Sequence, residues 1–480
     1  MGSSARGSDN LTTHPLRATL AATILGSSLA FIDSSVTNVA LPALARQLHA
    51  DPAKLSWAIN AYLLPLGTLI LLGGGLGDHF GRRRVFLLGL MLLTGASILC
   101  AAAPTFAWLL AGRGAQGIGA ALLMPNSLAI LGGAFSGEER GRAIGTWAAV
   151  GAMSGVVGPV VGGWLIDVVG WRCVFMINIP VALAAGYLAW KYVAEQRERG
   201  KEVRLDAWGA LLATAALGLL TWSLTEAADN SRSLSWIGAV TLGGLALLVI
   251  FLVQEKRLQD RALMPFALFS SRTFVGLTLL TFFLYGSLGG LIVLLPFLLI
   301  QMNRWSAVAA GAALLPVPLL IGVGSRSMGR LAARIGARAP LSGGCLLVAA
   351  GLALYARVGA AGVDYWVDIF PPTFLVGLGM GVCVAPLTTA VMASVDTDRV
   401  GVASGFNNAT ARIAGLVATA LLGFVFAQQN SASGFIVAFR AAAFVGAGLA
   451  AAAAAFAAAL IRTDERSTIE RSGGVPPARR

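Results

Sequence analysis

Charge is scarce in this chain. Asp, Glu, Lys and Arg make up 12% of its 480 residues, against about 25% in an ordinary soluble domain. So few charges cannot cover a surface in water, and with 57% hydrophobic residues and a mean hydropathy of +0.77 the solvent indicated is a bilayer. Histidine is scarcer still. The three, His14, His49 and His79, fall in tails or short loops, which excludes a histidine metal cage or proton relay within the apolar runs. Proton chemistry in the membrane is left to carboxylates. The four cysteines, Cys100, Cys173, Cys345 and Cys383, lie far apart with no CxxC pair, which excludes a disulfide framework or zinc site and leaves them as apolar packing residues. No GxxxxGKS/T loop occurs, so ATP is not the energy source the sequence advertises. His, Cys and carboxylates do not cluster either, so no enzyme activity, cofactor or metal is expected. The net charge of +13 raises nucleic acid as a partner, but no soluble domain presents a basic face and no recognition module is present.

What the chain has instead is long apolar runs. A helix crossing a hydrocarbon core about 30 Å thick, at about 1.5 Å per residue, needs roughly 20 apolar residues. Fourteen such spans are predicted, at 17–44, 55–76, 84–103, 105–133, 141–165, 174–193, 206–225, 234–253, 273–301, 305–325, 339–357, 367–393, 400–427 and 437–460. The expected fold is an all-α polytopic membrane protein. The first 16 residues are polar and lead into a span too long for a signal-peptide core, so the first helix is expected to be retained.

Loop charge predicts orientation. Roughly 26 of the 35 Lys and Arg fall in both tails and the even-numbered loops, and about seven on the opposite side. Both termini are therefore expected in the cytoplasm. The cytoplasmic loops include HFGRRR (79–84), EQRERGKEVR (195–204), EKRLQDR (255–261) and RIGAR (334–338), all too short to hold a soluble enzyme domain. Arg far outnumbers Lys, as in a GC-rich bacterial genome, and the expected location is a bacterial cytoplasmic (inner) membrane.

The loop after the second span reads GGLGDHFGRRR from Gly74, and the loop after the tenth reads GRLAARIGAR from Gly329. The spacing from Gly74 to Gly81 recurs from Gly329 to Gly336, with Ala333 where Asp78 stands in the first copy. A duplicated bundle is the simplest explanation, and paired repeats are the usual build of secondary transporters. The expected organisation is a tail (1–16), a six-helix bundle (17–194), a linker with two inserted transmembrane helices (195–272), a second six-helix bundle (273–460) and a tail (461–480).

Residues 31–42 read FIDSSVTNVALP, and of the 22 acidic residues Asp33 alone falls deep inside a span. Desolvation favours the protonated form of such a carboxylate, and a neighbouring Arg favours the charged form. Their balance can let the group take up a proton in one orientation and release it in the other. A cationic substrate would compete for the same charge. The alternative is an Asp held in a permanent ion pair. Arg113 and Arg412 also lie within spans, where facing lipid would cost roughly 2.5–3.5 kcal/mol each, so both must face the interior or water. Arg113 either tunes Asp33 or is tied to backbone carbonyls. Asn38, five residues beyond Asp33, and Asn407 and Asn408, five and four before Arg412, are cavity-lining candidates together with Arg412. Trp57, Trp147 and Trp222 could stack on a flat substrate or anchor the interface.

Several stretches resemble a known family. GGLGDHFGRRRVFLLG (74–89) resembles motif A of the major facilitator superfamily, matching at Gly74, Leu76, Asp78, Gly81, Arg82 and Arg83. LLAGRGAQGIGAA (109–121) resembles motif B, with Arg113, Gln116, Gly117 and Gly119 in place. SGVVGPVVGGWL (154–165) resembles motif C, the antiporter signature, with Gly158, Pro159, Gly162 and Gly163. FIDSSVTNVALPAL and GWRCVFMINIPVAL (170–183) are similar to segments of the fourteen-span drug:proton antiporters of the EmrB/QacA type. The resemblance covers about 17–460 and implies a major facilitator fold of two six-helix bundles plus two inserted helices. It implies a proton-coupled multidrug efflux antiporter that exports amphiphilic, cationic compounds by alternating access. Motif A would be a cytoplasmic gate between halves, and motif C a hinge and seal favouring exchange over uptake. In a two-membrane host a periplasmic adaptor would extend the export path. Alternatives are a dedicated exporter of one metabolite or antibiotic, and a proton-coupled uptake permease.

Overall fold

The computed structural model describes residues 5–51, 54–196, 206–229, 232–258, 262, 264, 266–359, 363–395, 400–426 and 432–461, and among them there is no strand. The helices in chain order are α1 (Ala5–Gln47), α2 (Trp57–Phe80), α3 (Arg82–Ala101), α4 (Phe106–Ala134), α5 (Gly137–Val168) and α6 (Cys173–Tyr192). There follow α7 (Ala207–Asp229), α8 (Leu234–Leu258), α9 (Arg272–Met302), α10 (Ala307–Ala312 continuing as Pro316–Ile335), α11 (Arg338–Tyr355), α12 (Tyr365–Ala393), α13 (Val402–Phe426) and α14 (Ala432–Leu460). Thirteen of these are long and apolar enough to cross a membrane. The remaining one, α5, has 32 residues, opens on Glu138, Glu139, Arg140 and Arg142, and from Ala143 to Val168 carries Asp167 as its one charged residue. All fourteen expected spans coincide with helices.

Helix packing repeats after eight helices. In the first six, α1 packs on α4, α5 and α6, α2 on α4, and α3 on α4 and α6. The same pairings recur as α9 on α12, α13 and α14, α10 on α12, and α11 on α12 and α14. Small residues allow the close approaches. A methyl on Gly89 of α3 would strike the Gly119 carbonyl of α4, and one on Gly344 of α11 would strike the Gly379 carbonyl of α12. The duplicated loops match in backbone as well. Gly81 turns from α2 into α3 at φ 105°, and Gly336 turns from α10 into α11 at φ 85°, a left-handed conformation that glycine adopts without a steric penalty.

The two sets of helices meet along two seams, α2 on α13 and α5 on α10. Helix α7 lies against both α2 and α13, and α8 packs on α7. Lipid-facing chemistry is visible on the outside, where Trp190, Leu242, Val249, Val437 and Phe444 are each more than half exposed. In water such a surface would drive aggregation; in a bilayer it matches the solvent.

Candidate functional site

Helix α1 shows two polar faces to two different surroundings. Phe31, Ser34, Ser35 and Asn38, spaced by three and four residues, form one stripe and line a cavity of about 390 Å³ between the two sets of helices. Ala30, Asp33, Thr37 and Ala40 form the other stripe and are buried among the first six helices. Five residues at 100° each separate Asn38 from Asp33 by about 140° around the helix. Asn38 therefore reaches the cavity and Asp33 does not.

Asp33 and Arg113 are both fully buried and form an ion pair. Asp33 also accepts from Gln116 Nε2 (3.0 Å) and Asn178 Nδ2 (3.1 Å) on one carboxylate oxygen. Both amides extend to Ser97 Oγ, at 2.9 and 3.1 Å, so α1, α3, α4 and α6 converge on one carboxylate. Arg113 is fixed on its other sides. Its Nε donates to the Ala58 carbonyl (2.9 Å), one terminal nitrogen donates to Gln116 Oε1 (2.9 Å), and the guanidinium lies over the Tyr62 ring at 4.5 Å. Arg113 is thus both tied to a backbone carbonyl and paired with Asp33. Removing either member of such a pair leaves an uncompensated buried charge, at a cost of about 3–5 kcal/mol. Two polar atoms of the network, Arg113 Nη2 and Asn178 Oδ1, are buried without a partner, and capacity of this kind is what a rearranging site requires.

Ser97, Asn178 and Tyr62 were not among the expected site residues. The available signal was polarity inside an apolar run: Asn178 is the one amide in CVFMINIPVALAAG, and Ser97 lies one turn before Cys100, which itself approaches Gln116 Oε1.

The cavity wall comes from α1, α2, α5, α9, α10, α12 and α13. Arg412 lies on it as expected, its guanidinium 6.0 Å from the Phe31 ring. Asn407 and Asn408 do not. Asn407 accepts a bond from Thr281 of α9 (2.6 Å), and the exposed Asn408 donates to the Ser404 carbonyl one turn earlier (3.3 Å). Of the three tryptophans, Trp147 donates to Ser27 (2.8 Å), Trp222 stacks edge-on against Trp236 at 5.8 Å, and neither these nor Trp57 is among the wall residues.

Motif C sits where α5 meets α1 and α10. Methyls on Gly158 and Gly162 would strike Ser35 and Val36 of α1, and one on Gly163 would strike the Ala307 backbone of α10. Pro159 presents its carbonyl to Gly311 of α10. The seam continues beyond the motif, where Asp167 accepts from the backbone N–H of Ala307 (3.2 Å) and Val308 (3.1 Å).

Motif A ties the α2–α3 turn to its neighbours in the first six helices. Arg82 donates to Asp78 (2.8 and 3.0 Å) and to the Ala129 carbonyl of α4 (3.2 Å). Arg83 donates to the Val193 carbonyl (3.2 Å), and its backbone N–H to Glu195 (3.1 Å). Gly74 packs on Pro125 of α4, and a methyl on Gly81 would strike Glu195. Asp78, unfavourable at the C-terminal end of α2, is offset by Arg82 at the start of α3. These bonds clamp the α2–α3 turn onto the ends of α4 and α6.

Comparison with known proteins agrees with this arrangement. The profile of the Major Facilitator Superfamily matches residues 23–419. The chain is 32% identical over 421 residues to Multidrug resistance protein Stp of Mycobacterium tuberculosis, covering 86% of this chain and 76% of that protein. It is 34% identical over 407 residues to the puromycin resistance protein of Streptomyces alboniger, covering 84% and 80%. The crystal structure of a bacterial homologue of the human lysosomal transporter Spinster, inward-facing and unoccupied, superposes with a TM-score of 0.65 at 18% identity over 94% of this chain and 98% of that one. With the family profile spanning most of its length and relatives above 30% identity along the same stretch, the chain belongs to the Major Facilitator Superfamily.

Proposed function

We propose that the protein is a proton-coupled multidrug efflux antiporter that exports amphiphilic compounds by alternating access. The observation that carries this reading is a fully buried Asp33–Arg113 pair set behind the wall of a ligand-sized apolar cavity. Relatives named for drug and antibiotic resistance support export as the direction.

In this reading Asp33 carries the proton and Arg113 tunes it. A proton on Asp33 removes the charge that holds Arg113, and Arg113 is bonded to Ala58 of α2. Helix α2 reaches the cavity through Ile59 and Leu63, and Asn60 accepts a bond from Thr419 of α13 on the far side of the seam. Protonation is therefore relayed to the substrate wall through α1 and α2. Direct competition between a cation and Asp33 gives way to this indirect coupling, because Asp33 does not reach the wall.

Residues 17–194 and 273–460 act as the two rocking bundles, with 195–272 as an inserted linker; the repeated helix pairings support this division. The α5–α10 seam, with Gly158, Pro159, Gly162, Gly163 and Asp167, is the external gate. Gly74, Asp78, Gly81, Arg82 and Arg83 form the cytoplasmic hinge of the first bundle. Basic loops support a cytoplasmic location for that hinge and both termini, in a bacterial inner membrane. In a two-membrane host a periplasmic adaptor would receive the substrate. A second reading, a dedicated exporter of one antibiotic, is favoured by the relative named for puromycin resistance.

A substrate panel in inverted vesicles tests both. Accumulation of several unrelated amphiphiles driven by an imposed pH gradient and collapsed by a protonophore is expected. Accumulation of a single compound would favour the dedicated exporter, and transport indifferent to the gradient would overturn proton coupling.

A further inference from the structure

The charge of the cavity is set by one residue. Among the described wall residues Arg412 is the only charged side chain, and the wall carries no carboxylate. Two cations lie near the cavity, Arg113 fully buried and Arg412 half-buried, and they differ in what balances them. Arg113 is neutralised by Asp33 inside the first bundle. Arg412 makes no ion pair among the described residues, and its guanidinium is held over Phe31 at the cavity edge. Its stem is fixed where α13 crosses α2, because Gly67 leaves room there for the Arg412 Cβ.

A second polar group faces the same space. Asn38 is 6% exposed and lines the cavity, and its side-chain oxygen has no hydrogen-bond partner. A buried polar atom left unpaired is costly, so an amide aimed into a cavity marks a place where a ligand or water completes the bond. The rest of the wall is mostly aliphatic, with Tyr285 as a second aromatic beside Phe31.

We infer that the cavity selects amphiphiles carrying an acidic group, a carboxylate or an ionised phenol, with Arg412 as the charge-selecting residue and the Asn38 oxygen as an acceptor for an N–H or O–H elsewhere on the same ligand. The inference rests on the efflux reading for the site's use and adds the substrate class. An acidic group gains a charge-assisted hydrogen bond from a guanidinium that has no counter-ion, in surroundings where water does not screen it fully. A cationic amphiphile meets the same guanidinium as a like charge, with no wall carboxylate to offset it. This inference replaces the preference for cations expected from Asp33, since that carboxylate pairs with Arg113 behind the wall.

Dye binding to the purified full-length protein in lipid nanodiscs tests this without any proton gradient, so it can fail while coupled efflux stands. Fluorescein and rhodamine 6G share a xanthene body and differ in the sign of their charge. Fluorescence anisotropy is expected to show tighter binding of fluorescein. Arg412→Gln is expected to weaken fluorescein binding by roughly ten- to a hundredfold, the size of one lost charge-assisted bond, and to leave rhodamine 6G binding equal or stronger. Arg412→Lys, which keeps the charge, should retain most of the fluorescein affinity. Equal affinity for the two dyes, preference for rhodamine 6G, no measurable fluorescein binding, or an unchanged dye ratio in Arg412→Gln would each overturn the inference.

Discussion

Asp167, in the last turn of α5, caps the first turn of α10 by accepting from the backbone N–H groups of Ala307 and Val308. A carboxylate from the first set of helices thus satisfies orphan donors of the second, on the face opposite HFGRRR. Replacing such a cap costs about 1 kcal/mol, roughly a fivefold change in population. Asp167→Ala is expected to open this face more often. Labelling of Ser34→Cys by a membrane-impermeant maleimide, with Cys173 replaced by Ser, should rise several-fold when Asp167→Ala is added. An unchanged labelling rate would show that the cap does not hold the gate.

The motif C glycines are expected to differ sharply in tolerance. A methyl on Gly163 would lie 2.5 Å from the Ala307 carbonyl oxygen and 2.7 Å from the Val308 nitrogen, backbone atoms that cannot swing aside. Gly155, eight residues earlier, has nothing within 4 Å. Gly163→Ala should lower thermal stability by about 1–3 kcal/mol, whereas Gly155→Ala should be neutral or gain up to about 1 kcal/mol of helix propensity. Unfolding scans in detergent decide; similar midpoints for the two variants would contradict the tight α5–α10 seam.

The fold was far more legible than the site. Lipid leaves helix as the natural way for a chain with these apolar runs to satisfy its backbone, so every expected span is a helix, and the Gly74–Gly81 and Gly329–Gly336 echo reappears as paired left-handed turns. Asp33 and Arg113 were legible because a charge in an apolar run must have a partner. Which face of α1 each polar residue takes was not legible from spacing read as proximity: Asp33 and Asn38 look adjacent in FIDSSVTN yet face different surroundings. Asn407 and Asn408 were misplaced on the wall for a related reason. Sequence distance to Arg412 says nothing of Thr281 on α9, which takes Asn407.

The two matched turns give a graded pair of variants. Gly81 and Gly336 both have positive φ, where a Cβ costs roughly 1–2 kcal/mol. Gly81 additionally abuts the Glu195 carboxylate, while Gly336 has open space around it. Both alanine variants should be destabilised, Gly81→Ala the more so, by thermal unfolding of the purified proteins. Gly336→Ala as the worse variant would contradict the clamped α2–α3 turn.

Asn178 is expected to matter although no motif consensus was needed to find it. Its side chain donates to both Asp33 and Ser97 at the centre of the buried network. Asn178→Leu leaves the carboxylate one donor short, at a cost of about 1–3 kcal/mol. Gradient-driven transport should fall at least tenfold, whereas Asn407→Ala, which gives up only the Thr281 bond outside the cavity, should retain most activity. Equal activity of the two variants would remove Asn178 from the coupling site.

The central claim is that Asp33 couples protons to export from behind the cavity wall. Dye accumulation in inverted vesicles under an imposed pH gradient, compared between the natural sequence and Asp33→Asn, tests it most directly. The account predicts that the Asn variant loses gradient-driven accumulation of every compound in the panel while still binding the dyes, since Asp33 does not touch the cavity. Unimpaired accumulation by Asp33→Asn would contradict it and leave the Asp33–Arg113 pair as a structural tie between α1 and α4.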